Sequence, residues 1–149
     1  MSQRVDLPDL SAMEAFGERI AQQLRAGDVV ALSGGLGTGK TTLSRAILQA
    51  MGHTGDVPSP TFTIIEQYEG THMRLPIVHA DFYRLDKPDE VHELGLDDYR
   101  EGAALLAEWP ESAGGFRHEP ACLSILLEVA DEGRVAIVEA GADWVGRLS

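Results

Sequence analysis

Apolar and polar positions change period several times along this chain, and each change marks an element. Arg4-Val5-Asp6-Leu7 reads as a short edge strand. Met13, Phe16, Ile20 and Leu24 then recur at helical spacing. They follow an S-x-x-E capping box, Ser11-Ala12-Met13-Glu14, and Gly27 sits where a helix stop belongs. Val29-Val30-Ala31-Leu32 is a short unbroken apolar run, which predicts a buried strand. Helical spacing returns over 42–48, with Leu43, Ala46, Ile47, Ala50 and Met51 as the buried face and Gly52 as the stop. Thr61 to Tyr68 is rich in β-branched and aromatic residues and predicts a strand. A turn follows at Glu69-Gly70-Thr71-His72, then a second strand from Leu75 to Ala80. Two short helical pieces are expected between Asp86 and Gly102, with Val91 and Leu94 on one, Leu96 and Tyr99 on the other, and a break at Gly95. Ala103 to Ala107 reads as a buried strand. Leu123, Ile125, Leu127 and Val129 alternate as strand positions, Asp131-Glu132-Gly133 turns the chain, Val135 to Glu139 returns it, and 142–148 reads as a terminal helical turn.

This order predicts an α/β domain with a mostly parallel central sheet, antiparallel edge strands and helices on both faces. The chain has 149 residues, enough for one domain with a real core and too few for two. No repeat or linker divides it, so residues 1–149 are read as a single unit. No apolar run is long enough for a membrane helix, and the first residues lack a secretory core segment. Cys122 is the only cysteine, which fits a reducing, cytoplasmic setting.

The segment between the buried strand and the second helix carries the most specific chemistry. Gly34-Gly35-Leu36-Gly37-Thr38-Gly39-Lys40-Thr41 fits the P-loop pattern G-x-x-x-x-G-K-[ST]. Glycines let the backbone wrap a phosphate chain and aim its N–H groups inward, and the helix N-terminus adds its positive end. Lys40 would reach the β- and γ-phosphates, and Thr41 would offer its hydroxyl to Mg²⁺. Ligands of such sheets lie beyond the carboxyl ends of the strands. The P-loop after Leu32, Asp81 after Ala80 and Glu108 after Ala107 all fall there, so one pocket is expected to join them.

Asp81 occupies a place where a P-loop enzyme holds Mg²⁺, often through water; its other reading is a cap on Tyr83-Arg84. Glu108 could orient or deprotonate an attacking water, or be a turn carboxylate. Trp109 could stack on a base or a partner, or cover the core. Ser59-Pro60-Thr61-Phe62 lies where a switch loop belongs, with Thr61 as its sensing hydroxyl, or is a proline-stiffened turn. His79 shares a strand face with Asp81 and could orient it, packing being the simpler account. The five histidines show no zinc-site spacing.

Absences narrow the field. The chain contains no asparagine, so the N-K-x-D guanine-reading motif is missing. Its arginines are scattered rather than gathered into the lid a small-molecule kinase uses. The formal net charge of −12 opposes a free-standing nucleic-acid binder, which needs a basic face. Acidic residues crowd 81–111, either as a solvated surface or as a docking face for a basic partner.

Together, Gly34-Gly35-Leu36-Gly37-Thr38-Gly39-Lys40-Thr41-Thr42, Ser59-Pro60-Thr61-Phe62, His79-Ala80-Asp81-Phe82-Tyr83-Arg84-Leu85 and Glu108-Trp109-Pro110-Glu111 resemble the bacterial TsaE (YjeE) family. That is the P-loop ATPase family of tRNA threonylcarbamoyladenosine (t6A) biosynthesis, and the resemblance spans nearly the whole chain. Gly35 departs from it, since the family often has an acidic residue there. The resemblance implies a cytoplasmic ATPase with ATP and Mg²⁺ as ligands, weak alone and dependent on partners. It implies nucleotide contacts from Gly35, Leu36, Gly37, Thr38, Gly39, Lys40, Thr41, Thr42, Thr61 and Trp109. It implies metal contacts from Thr41, Asp81 and Glu108, and catalytic roles for Lys40, Asp81 and Glu108. The implied partners are the two actin-like-fold proteins that transfer the threonylcarbamoyl group to adenosine 37, with tRNA met only through the complex. The rival readings are a small-molecule P-loop kinase and a nucleotide-dependent interaction switch.

Overall fold

The computed structural model describes residues 2–35, 37–55, 57, 65–83, 85 and 87–148. Alternating side chains on its strands feed two separate cores. On β2 (Val29–Ser33), Val30 and Leu32 join one core, while Val29 and Ala31 join the other. β5 (Ala104–Glu108) is buried along its whole length and divides the same way, with Ala104 and Leu106 against Leu105 and Ala107. Such strands need cover on both faces, which is why they read as unbroken apolar runs.

The described strands form one seven-stranded sheet in the order β1-β7-β6-β2-β5-β4-β3. Its centre is parallel: β6 (Cys122–Val129), β2, β5 and β4 (Ile77–Asp81) run together. The edges are antiparallel, with β3 (Ile65–Tyr68) on β4 and the β6–β7 hairpin (β7, Arg134–Ala140) extended by β1 (Ser2–Leu7). The expected α/β architecture with a parallel centre and antiparallel edges is therefore present.

Helices α1 (Leu10–Gln23) and α2 (Lys40–Ala50) pack together on the larger core. Gly17 makes their close approach possible, since a Cβ there would lie 2.6 Å from that of Ala46. The short helices α3 (Glu90–Glu93) and α4 (Leu96–Arg100) supply Val91 and Leu96 to the other face, so helices cover both. They are split at Gly95, whose φ is +72°, as the sequence predicts.

Two local expectations are corrected. Helix α1 is capped by Asp9, whose Oδ1 accepts from the Ala12 amide at 2.9 Å, and Ser11 lies inside the first turn. An extended Asp9 after Pro8 brings a charged acceptor to the helix end, and it outcompetes the Ser11 capping box. Ala50 is exposed, and Leu48 takes the buried position beside Ile47. Leu36, Ser59, Pro60, Thr61, Phe62 and Arg84 lie outside the described residues, so the predicted switch loop does too. No helix among the described residues is long and apolar enough to cross a membrane.

Candidate functional site

The loop between β2 and α2 is built on left-handed glycines: Gly34 at φ +137°, Gly37 at +74° and Gly39 at +104°. A side chain at Gly34 would also run into the Leu127 carbonyl of β6 and the Thr38 hydroxyl, so the position admits glycine alone. Side chains hold the loop by its carbonyls. Thr38 Oγ1 donates to Gly35 at 2.9 Å, Lys40 Nζ to Gly34 at 2.9 Å and Gly35 at 2.6 Å, and Arg134 Nη2 to Gly37 at 3.0 Å. Helix α2 starts at Gly39 with no side chain capping its first amides, which leaves a helix end suited to an anion.

Beneath this loop lies a buried polar cluster. Pairing of β2 with β5 sets Leu32 opposite Glu108, and pairing of β4 with β5 sets Asp81 opposite Glu108. Glu108 shares its sheet face with Leu106, under α2, and is 2 % exposed. Thr41 and Ser44, three residues apart on α2, point at it. Thr41 Oγ1 donates to Glu108 Oε1 at 3.0 Å, and Ser44 Oγ reaches Oε2 at 3.5 Å. His79 is fully buried, with Nε2 2.5 Å from Oε2. Its hydrogen-bond partner is thus Glu108, not Asp81.

Asp81 is half-buried at the end of β4, and its Oδ1 accepts from the Tyr83 amide at 2.9 Å. Burial pushes its carboxyl above the ordinary value and the charge of Glu108 adds to this, while the Tyr83 amide, His79 and Lys40 act against it. Burial also pushes the Lys40 ammonium down, opposed by Glu108, Asp81 and Glu111. Trp109 covers this corner. Lys40 Nζ lies 4.4 Å from its ring centroid, and the Tyr83 ring packs against it at 4.8 Å. Among the described residues Trp109 is the only non-glycine with positive φ, at +56°.

The resulting cavity, about 390 Å³, is lined by P-loop residues, Asp81, Tyr83, Glu108, Trp109 and Arg134. Of the residues singled out from sequence, Gly37, Gly39, Lys40, Thr41, Thr42, Asp81, Glu108 and Trp109 line it, while Gly35 and Thr38 brace its loop. Leu36 and Thr61 lie outside the described residues. Sequence reasoning missed Arg134 and Ser44; Tyr83 it named only as a residue Asp81 would cap, and the Tyr83 amide does bond Asp81. Arg134 opens β7 directly after the hairpin, and β6 runs parallel to β2, so the hairpin returns at the P-loop end of the sheet. That topology is the signal for it. Ser44 had only its i+3 spacing from Thr41.

The donor set suits a small hard cation: one hydroxyl and two carboxylates set opposite each other on adjacent strands, with room for water. Asp81 and Glu108 repel each other across this gap, and a divalent cation would relieve that repulsion.

Residues 7–136 match the family model described as "Threonylcarbamoyl adenosine biosynthesis protein TsaE". A Synechocystis relative named tRNA threonylcarbamoyladenosine biosynthesis protein TsaE is 41 % identical over 111 residues, 70 % of this chain and 68 % of that one. A Haemophilus influenzae protein of the same name is 37 % identical over 134 residues, 86 % of this chain and 83 % of its own. The crystal structure of Bacillus subtilis YdiB superposes with a TM-score of 0.73 at 27 % identity, covering 99 % of this chain and 90 % of that one. With its P-loop domain, its strand-end carboxylates and a match over most of its length, the chain belongs to the TsaE family of tRNA threonylcarbamoyladenosine biosynthesis.

Proposed function

We propose that this chain binds Mg²⁺-ATP at the cavity above Glu108 and hydrolyses it as the ATPase component of the t6A machinery. The observation that carries this reading is the Thr41–Glu108 hydrogen bond beneath the left-handed glycines Gly34, Gly37 and Gly39 of the P-loop. It joins the hydroxyl of the loop motif to a strand-end carboxylate, the pairing a metal-nucleotide site needs. Lys40 now caps loop carbonyls, and on nucleotide binding it would turn to the phosphates. Arg134, at the rim, adds the second cation among the described lining residues. Thr41, Asp81 and Glu108 would hold Mg²⁺, directly or through water, and the metal would neutralise charge developing on the transferred phosphoryl group.

The geometry divides the two carboxylates. Glu108 is buried with both oxygens engaged, which suits holding Thr41 better than taking a proton from water. Asp81 is half-exposed and lines the cavity, so it is the carboxylate with room to orient an attacking water. An acidic chain of this kind would meet tRNA only through its two actin-like-fold protein partners, whose docking would complete the site.

Phosphate release from Mg²⁺-ATP, measured alone and with the two partners and tRNA, tests this with Lys40→Ala as the blank. Slow release that rises with partners is the expected result. Release indifferent to partners would detach the chain from that role, and a phosphorylated small-molecule acceptor would make it a kinase.

A further inference from the structure

We propose that His79 is a positioning residue, which sets the metal-facing hydroxyl of Thr41 by way of Glu108. The assignment rests on the Mg²⁺-ATP reading above. His79 is fully buried on β4, on the same sheet face as Ile77 and the larger core. An imidazole there is costly: its Nδ1 is buried with no hydrogen-bond partner. A leucine would fill such a place without that penalty. The compensating contact is Nε2 on Glu108 Oε2 at 2.5 Å.

That contact does what the hydroxyls cannot. Thr41 and Ser44 hydroxyl hydrogens rotate to follow whichever oxygen faces them, so they cannot hold a carboxylate in one plane. The His79 ring is locked by the sheet and offers one rigid donor. Of its two ring nitrogens only Nε2 meets a partner, and that partner is Oε2. Oε2 is then occupied by His79 and Ser44, and Oε1 is left facing Thr41. Thr41 Oγ1, held on Oε1, lines the cavity where a cation would sit. His79 touches neither nucleotide nor metal; its effect passes through one carboxylate and one hydroxyl.

The test is calorimetric titration of ATP into the full chain, with Mg²⁺ and with EDTA, for the unaltered protein, His79→Leu, His79→Gln and His79→Asn. Loss of an outer-shell partner of this kind costs about 10–100-fold in metal affinity. His79→Leu is expected to bind ATP in EDTA like the unaltered protein and to lose about that much of the gain from Mg²⁺. His79→Gln places an amide donor where Nε2 lies and should recover the gain, whereas the shorter His79→Asn should not. The Gln–Asn pair carries the same test if the leucine variant does not fold. A full Mg²⁺ gain in His79→Leu, or equal losses in Gln and Asn, would overturn the assignment. No Mg²⁺ gain in the unaltered protein would overturn the Mg²⁺-ATP reading itself.

Discussion

Two buried carboxylates lie at opposite ends of β2, and they are treated differently. Asp28, just before the strand, is 4 % exposed and fully compensated. It accepts from the Arg25 amide at 2.7 Å and from both terminal nitrogens of Arg147, at 3.2 and 2.6 Å. Arg147 also stacks on Trp144 and donates to the Gln23 carbonyl. Glu108, opposite the end of the strand, is equally buried but faces two hydroxyls and an imidazole. No arginine pairs with it among the described residues. A buried charge matched by a guanidinium fastens the chain to itself. A buried charge matched by two hydroxyls and an imidazole, with no guanidinium, keeps an attraction in reserve for something that arrives later.

This contrast can be broken. Arg147→Met should show the largest effect, a loss of about 3–5 kcal/mol in denaturant unfolding, because Asp28 is left buried and unpaired. ATP affinity per folded molecule should not change. Equal stability with altered affinity would reverse the roles of the two ends. Glu108→Gln should do the converse. Stability should hold or rise, while Mg²⁺-ATP turnover falls about 10²-fold. Unchanged turnover would remove Glu108 from the mechanism.

Asp81→Asn sharpens the contrast with a smaller effect. The Asp81 carboxyl is pushed up in the folded chain, so its contribution to stability is present in acid and is lost as pH rises through the folded value. Above that value the ionised group weighs against folding. The asparagine variant should therefore melt with the unaltered protein at about pH 3.5, below the ordinary carboxylate range, and melt slightly higher at about pH 7. A lower midpoint at neutral pH would mean that Asp81 is already compensated, like Asp28.

Much of the fold was legible because buried parallel strands have an unmistakable pattern. Val29 to Leu32 and Ala104 to Ala107 are apolar on both faces, and only a central strand uses that. The P-loop was legible because its glycines are demanded by backbone angles at Gly34, Gly37 and Gly39. The start of α1 was misplaced because two acceptors compete within three residues, and local pattern does not rank Asp9 above Ser11. The site was half legible. Lys40, Thr41, Asp81 and Glu108 stand at ends of elements that sequence marks. The partner of His79 and the presence of Arg134 depend on which strands lie side by side, and that order is set by packing.

Strand order also has a consequence for how the protein comes into being. β2 and its P-loop are made early, but one of the two strands flanking β2 is β6, from near the end of the chain. The Leu127 carbonyl that closes on Gly34 belongs to β6, and the Arg134 guanidinium that holds Gly37 is translated later still. A nascent chain emerging from the ribosome therefore carries the whole phosphate motif well before it has the wall that shapes it. The loop should take its final shape abruptly during synthesis, when the β6–β7 hairpin docks.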